Sequence, residues 1–123
     1  MAEYTERFVT SRVASGNLDG SQFCFVRQLG NADVISVADS GSYVLGVLQN
    51  KPQNNDHAAV VFLGSTKIKL ANSLGAGIPI MSAVSGFAVR ASSGQVVLGY
   101  LMTGATSGAY GELNMNYSHT GSL

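Results

Sequence analysis

Charge is what this sequence has least of. Only 11% of its 123 residues are Asp, Glu, Lys or Arg, and seven basic residues balance seven acidic ones. The usual share is about a quarter. A protein that grips nucleic acid needs clustered Lys and Arg to neutralise phosphates and release counterions. Here Arg7, Arg12, Arg27, Lys51, Lys67, Lys69 and Arg90 are scattered, so nucleic acid is not the expected partner. Cys24 is the one cysteine, which excludes an intrachain disulfide framework, and within "QFCFV" it reads as a small buried apolar residue. No apolar run approaches the ~20 residues that span a bilayer, so no membrane is expected either. The opening "MAEYTERFVT" lacks the basic-then-apolar layout of a signal peptide, and the expectation is a protein that stays where it is made. Long helical periodicity is missing too.

What is there is a succession of short apolar runs broken by Gly, Ser, Asn and Asp. Val, Ile, Thr, Tyr and Phe are frequent, and fifteen glycines fit many tight corners. This is the pattern of an all-β chain, a sandwich or barrel. Strands are expected near 7–14, 22–29, 34–38, 43–49, 58–63, 66–71, 78–83, 87–91, 95–102 and 110–117. "TKIKLA" sets Lys67 and Lys69 on one face and Ile68 and Leu70 on the other, the period of a half-buried strand. "AAVVFLG" is apolar on both faces, as in a central strand or a subunit contact. "KPQNNDH" and "NSLGAGIP" read as loops.

One phrase is written twice. "YVLGVLQ" and "VVLGYLM" place Gly46 and Gly99 at the centre of apolar stretches, where a strand disfavours glycine. Such glycines mark a bulge, a bend or a close backbone approach. Around them "RVASGNLDG" aligns with "KLANSLGAG", setting Arg12 against Lys69. "QLGNADVISVADSGSYVLGVL" aligns with "AVSGFAVRASSGQVVLGYL" after a short gap. A polar loop and a further strand follow each phrase, "AAVVF" in one case and "GELNMNY" in the other. The chain therefore reads as a single unit of two tandem β-modules of about 55 residues, at 8–64 and 65–117. An N-terminal arm (1–7) precedes them and a short polar tail (118–123) follows.

The order of these phrases resembles the small head decoration, or capsid cement, proteins of tailed bacteriophages over roughly residues 8 to 117. "VLGVL" with "VVFLGSTKIKL", and more loosely "VLGYL" with "GELNMNY", carry the resemblance, although the second module lacks a counterpart of "VVFLG". The resemblance implies a compact β-rich structural protein on the outer face of the virion, made in the host cytoplasm. It implies contacts that bridge major capsid protein subunits, and no catalysis. Closed cyclic association suits local symmetry axes, so a homo-oligomer is expected, a trimer first and a dimer second. The alternative is a carbohydrate- or receptor-binding β-module of a head fibre or tail. That reading needs clustered aromatics for sugar stacking, whereas Trp is absent and the five Tyr and five Phe are dispersed.

Chemistry-bearing residues are sparse. His57 and His119 are the only histidines, and a metal or hydrolase site needs them to converge with Cys24 or carboxylates. Asp19, Asp33, Asp39, Asp56 and Glu112 lie mostly in turn-like contexts that favour capping over acid–base work. "GAG" at 75–77 opens no helix, since Pro79 follows, and no GxxxxGK[ST] loop exists to hold phosphates. No cofactor and no metal is expected. The candidate contact residues are those of the arm, Glu3, Tyr4, Glu6, Arg7 and Phe8, which combine both charge signs with two aromatic anchors. The segment reads either as a frayed terminus or as an arm that orders on contact with the shell, adding a strand to a capsid or neighbouring-subunit sheet edge.

Overall fold

The computed structural model describes residues 7–30, 34–41, 43–92 and 96–115. Their strands are β1 (Arg7–Ala14), β2 (Phe25–Gln28), β3 (Val34–Val37), β4 (Gly46–Leu48), β5 (His57–Lys69), β6 (Pro79–Ser82), β7 (Ala88–Arg90), β8 (Gly99–Thr103) and β9 (Tyr110–Met115). A 3-10 turn at Val84–Gly86 is the only helical piece among the described residues. The all-β expectation holds. It erred in cutting one strand into two: 58–63 and 66–69 both belong to β5, which runs unbroken for 13 residues. Gly64-Ser65 reads locally as a turn. Yet Gly64, at φ +104°, is held in the ladder from both edges, by Arg7 on one side and Met115 on the other.

The pairings make two closed rings that share β5. In the first, β1 lies parallel to β3, and the remaining contacts, β3–β2, β2–β4, β4–β5 and β5–β1, are antiparallel. In the second, β5–β9, β9–β8, β8–β6 and β6–β7 are antiparallel, and a parallel bridge between Leu70 and Ala88 completes the circuit. Ring closure disposes of sheet edges that would otherwise template aggregation.

The registers of the two rings match pair by pair. Val26↔Val37 recurs as Ile80↔Arg90, and Phe25↔Val47 as Pro79↔Tyr100. Val47↔Val61 and Leu48↔Val60 recur 53 positions on as Tyr100↔Asn114 and Leu101↔Leu113. Thr10↔Val60 and Val13↔His57 recur as Thr66↔Leu113 and Lys69↔Tyr110. Loop hydrogen bonds follow suit. Leu45 N–H donates to Val26 C=O and Leu98 N–H to Ile80 C=O, both at 2.8 Å. Leu18 N–H donates to Pro52 C=O at 2.9 Å and Leu74 N–H to Ala105 C=O at 3.1 Å. Asn55 and Gly108, at φ +71° and +80°, occupy the same left-handed corner.

These registers correct two sequence alignments. Arg12 pairs with Ala58 as Ile68 pairs with Gly111, so the counterpart of Arg12 is Ile68 and not Lys69. A slip of one residue in a strand exchanges its faces, and the Arg–Lys likeness concealed it. The second module also has its counterpart of "VVFLG": Leu113, Asn114 and Met115 of β9 stand where Val60, Val61 and Phe62 stand in β5. The expected module boundary at 64/65 falls inside β5.

Each ring has a packed interior. Ala14, Leu18, Val26, Ile35, Leu48, Ala58 and Val60 form the first core. Leu70, Ile80, Ala88, Leu101 and Leu113 fill matching places in the second, with Leu74 packed against them. Volume is exchanged across the parallel pair: Ala14 faces Ile35 in one ring, and Leu70 faces Ala88 in the other. Gly111 stands where Ala58 does, and a Cβ there would come within 2.7 Å of the Thr103 carbonyl oxygen and 3.1 Å of the Leu101 side chain. Cores tolerate such exchanges when total volume is kept. Phe25, Ala38, Val44 and Val47 of the first module belong to the second core, and thereby bind the two modules into one body.

Candidate functional site

The sequence-predicted contact residues fall into two groups. Glu3, Tyr4 and Glu6 lie outside the described residues, as does the tail 118–123. Arg7 and Phe8 belong to β1, paired with Gly64 and Leu63, so the strand begins within the expected arm. The Phe8 ring is half exposed, and its centroid lies 6.0 Å from that of Phe62. A bulge in the β1–β5 ladder lies between Phe8 and Val9, with Phe62 the extra residue. Val9 and Leu63 are exposed beside the two rings. The sequence offers both parts of this patch, Phe8 among the arm residues and "AAVVFLG" as a central strand or a subunit contact, without joining them. Only the register of β1 on β5 brings Phe62-Leu63 next to Phe8.

Gly46 and Gly99 are positions of close backbone approach. A Cβ on Gly46 would overlap the Val61 carbonyl and come within 2.7 Å of the Val60 side chain. A Cβ on Gly99 would overlap the carbonyl of Asn114, the counterpart of Val61, and come within 3.2 Å of Leu113. Neither glycine has positive φ. The repeated phrase is therefore a packing requirement written once per module.

The junction between modules is aromatic and cationic. Phe23, at φ +64°, donates its N–H to Leu48 C=O at 2.7 Å and accepts from Lys69 N–H at 2.9 Å. Its ring meets Tyr110 edge-on at 5.4 Å, and the Lys67 ammonium sits 5.7 Å from its centre. Lys69 lies 5.2 Å from the Phe87 ring. Beside this junction a groove of about 590 Å³ is lined by Ser65, Thr66, Lys67, Thr103, Tyr110, Gly111 and Glu112. A second groove of about 440 Å³ is lined by Arg27, Gln28, Tyr43, Val44 and Leu45.

Asp33 lies outside the described residues, and among the described residues the remaining chemistry-bearing groups do not converge. His57 is exposed at the start of β5, and His119 lies outside the described residues. Asp56 caps a turn by accepting from Gln53 N–H at 3.1 Å. Asp39 pairs with Arg27 at 3.9 Å across an exposed surface, an arrangement worth little in water. Cys24 is buried, and burial pushes its thiol up to about 11, only partly offset by the Lys69 charge. A protonated buried thiol is a poor nucleophile. Among the described residues no group of three or more His, Cys, Asp or Glu is placed to hold a metal, and no helix is long and apolar enough to cross a membrane.

The fold has a known counterpart. The crystal structure of the N base of head fiber gp8.5 of bacteriophage phi29 matches with a TM-score of 0.74, over 90% of this chain and 95% of that one, at 17% sequence identity. At that identity the likeness establishes the fold alone. No family model matches the sequence, and no curated protein matches it.

Proposed function

We propose that this chain is a structural protein of a tailed-phage virion. In this reading it binds the outer surface of the capsid and stabilises the shell by bridging major capsid protein subunits. The observation that carries it is the agreement of two independent likenesses. The order of sequence phrases resembles head decoration proteins, and the fold matches a phage head fiber base over nearly the whole of both chains. The site chemistry is compatible: among the described residues there are exposed apolar and aromatic side chains rather than a convergent acid, base or nucleophile.

The mechanism is binding alone. A protein that buries surface on two shell subunits at once favours the assembled shell over the dissociated one by mass action. Many modest sites engaged together make a durable coat. The protein acts as a homo-oligomer, a trimer before a dimer, and the arm that precedes β1 supplies contacts to the shell. No nucleic acid, membrane or cofactor takes part.

The test is co-sedimentation with expanded, undecorated heads. Saturable co-pelleting at fixed stoichiometry is expected, with weaker binding after deletion of residues 2–6, which spares β1. Absence of co-pelleting overturns the reading. A second reading, a head fibre module that binds carbohydrate or receptor, gains from the name of the structural match and from the groove beside Tyr110. Glycan-array binding without co-pelleting is its signature.

A further inference from the structure

The two modules finish differently at one end of their barrels. In the second, that end is formed by Gly64 and Met115. Met115 is fully buried and belongs to the same core as Phe25, Val44 and Val47 of the first module. Phe25 and Val47 alternate along β2 and β4 with Val26 and Leu48 of the first core, so they point outward from the first barrel. The chain thus contains one contact in which the end of one barrel rests on the flank of the other.

The same two surfaces exist a second time without a covering among the described residues. Phe8 and Phe62 stand where Gly64 and Met115 stand, yet they are 47% and 41% exposed, and Val9 and Leu63 beside them are 53% and 37% exposed. On the flank of the second barrel, Tyr100 takes the place of Val47 and is 49% exposed, next to Met102 at 41%. The free flank is not a replica, because Pro79 stands at the position of Phe25, and its anchor is Tyr100. Tyr43, Val84 and Tyr110 are exposed elsewhere, but only these two surfaces correspond to the two sides of the internal contact, and exposed apolar patches mark interaction sites.

We propose that these surfaces meet between copies of the chain. The Phe8–Phe62 end of the first barrel docks on the Tyr100–Met102 flank of the second barrel of a neighbouring copy, repeating head-to-tail the contact already made within the chain. The occupant is a second copy because the internal end-on-flank contact shows what covers such an end. The contact is heterologous: the two surfaces differ, and each copy carries one of each. This rests on the homo-oligomer part of the proposed function and not on shell binding.

The test needs only the purified protein, so its failure is separable from a failure to bind heads. Mass is measured by light scattering after gel filtration at tens of micromolar. The wild type is expected to be an oligomer. Phe62→Gln, or Phe8→Gln should the first variant fold poorly, removes one surface, and Tyr100→Gln removes the other. Each variant alone is expected to run as a monomer with an unchanged far-ultraviolet spectrum. Mixed in equal amounts, they are expected to form a dimer and nothing larger, because each retains the surface its partner lacks. A monomeric wild type, a folded variant of either surface that keeps the wild-type mass, or a mixture that stays monomeric overturns the proposal. A monomeric wild type that still pellets with heads assigns the apolar end to the shell instead.

Discussion

The first module and the second share a hydrogen-bond pattern and differ in what they place on it. Val61 is buried where Asn114 is exposed, and Phe62 is exposed where Met115 is buried. Phe23 holds a left-handed conformation that the second module gives to Gly77, at φ +83°. Backbone geometry was retained while side chains were reassigned to three different jobs: filling a barrel, joining two barrels, and facing outward. The duplicated parts show what the fold requires. The parts that differ show what this chain does with it.

The harshest way to break the comparison is at the shared glycines. Gly46→Val and Gly99→Val each drive a side chain into a carbonyl, and each is expected to cost upwards of about 4 kcal/mol or to abolish folding. Soluble yield and urea unfolding measure this, and if both variants are neutral the close-approach reading fails. Next is the exchanged volume. Leu70→Ala is expected to cost about 2–5 kcal/mol through the cavity it leaves. Adding Ala88→Ile, which recreates the Ala14–Ile35 combination, is expected to recover part of that in a double-mutant cycle. A double variant no more stable than Leu70→Ala contradicts the exchange.

Phe23 sharpens the comparison more gently. Phe23→Ala loses the contacts to Tyr110 and Lys67 and keeps the strained φ, whereas Phe23→Gly loses the contacts and relieves the strain. The glycine variant is expected to be the more stable of the two by about 1 kcal/mol in thermal unfolding. Equal stability of the two removes the strain argument. The smallest effect concerns Cys24. Its thiol ionises near 9.0 when unfolded and near 11 when folded, so the unfolded chain releases the proton first. The contribution to stability is complete below the unfolded value and is lost as pH rises through the folded one. Cys24→Ala is expected to flatten that alkaline decline relative to wild type. An unchanged slope contradicts it.

Much of this fold was legible in the sequence because its physics is local. Alternation in "TKIKLA" set Ile68 and Leu70 inward, and the doubled Leu-Gly phrase identified the duplication. The failures have physical causes as well. Gly64-Ser65 reads as a turn because its two flanking partners, Arg7 and Met115, are distant in the chain. β9 was not recognised as the counterpart of "VVFLG" because its outward face, Tyr110, Glu112 and Asn114, is exposed and polar enough to hide the match. The apolar end was only half legible: Phe8 is among the candidate arm residues and "AAVVFLG" reads as a central strand or a subunit contact, but nothing in the sequence sets the two side by side. Phe8 and Phe62 are adjacent only through the register of β1 on β5, and the tilt of their rings, 36°, is a property of the fold.

Amide hydrogen exchange on the native protein tests the central claim, one backbone pattern built twice, most directly. The amides of Ala38, Leu45 and Leu48 donate to carbonyls in the first module, as those of Ala91, Leu98 and Leu101 do in the second. All six are expected to be protected, in three matched pairs. Free exchange at Leu98 or Leu101 while Leu45 and Leu48 stay protected would contradict it.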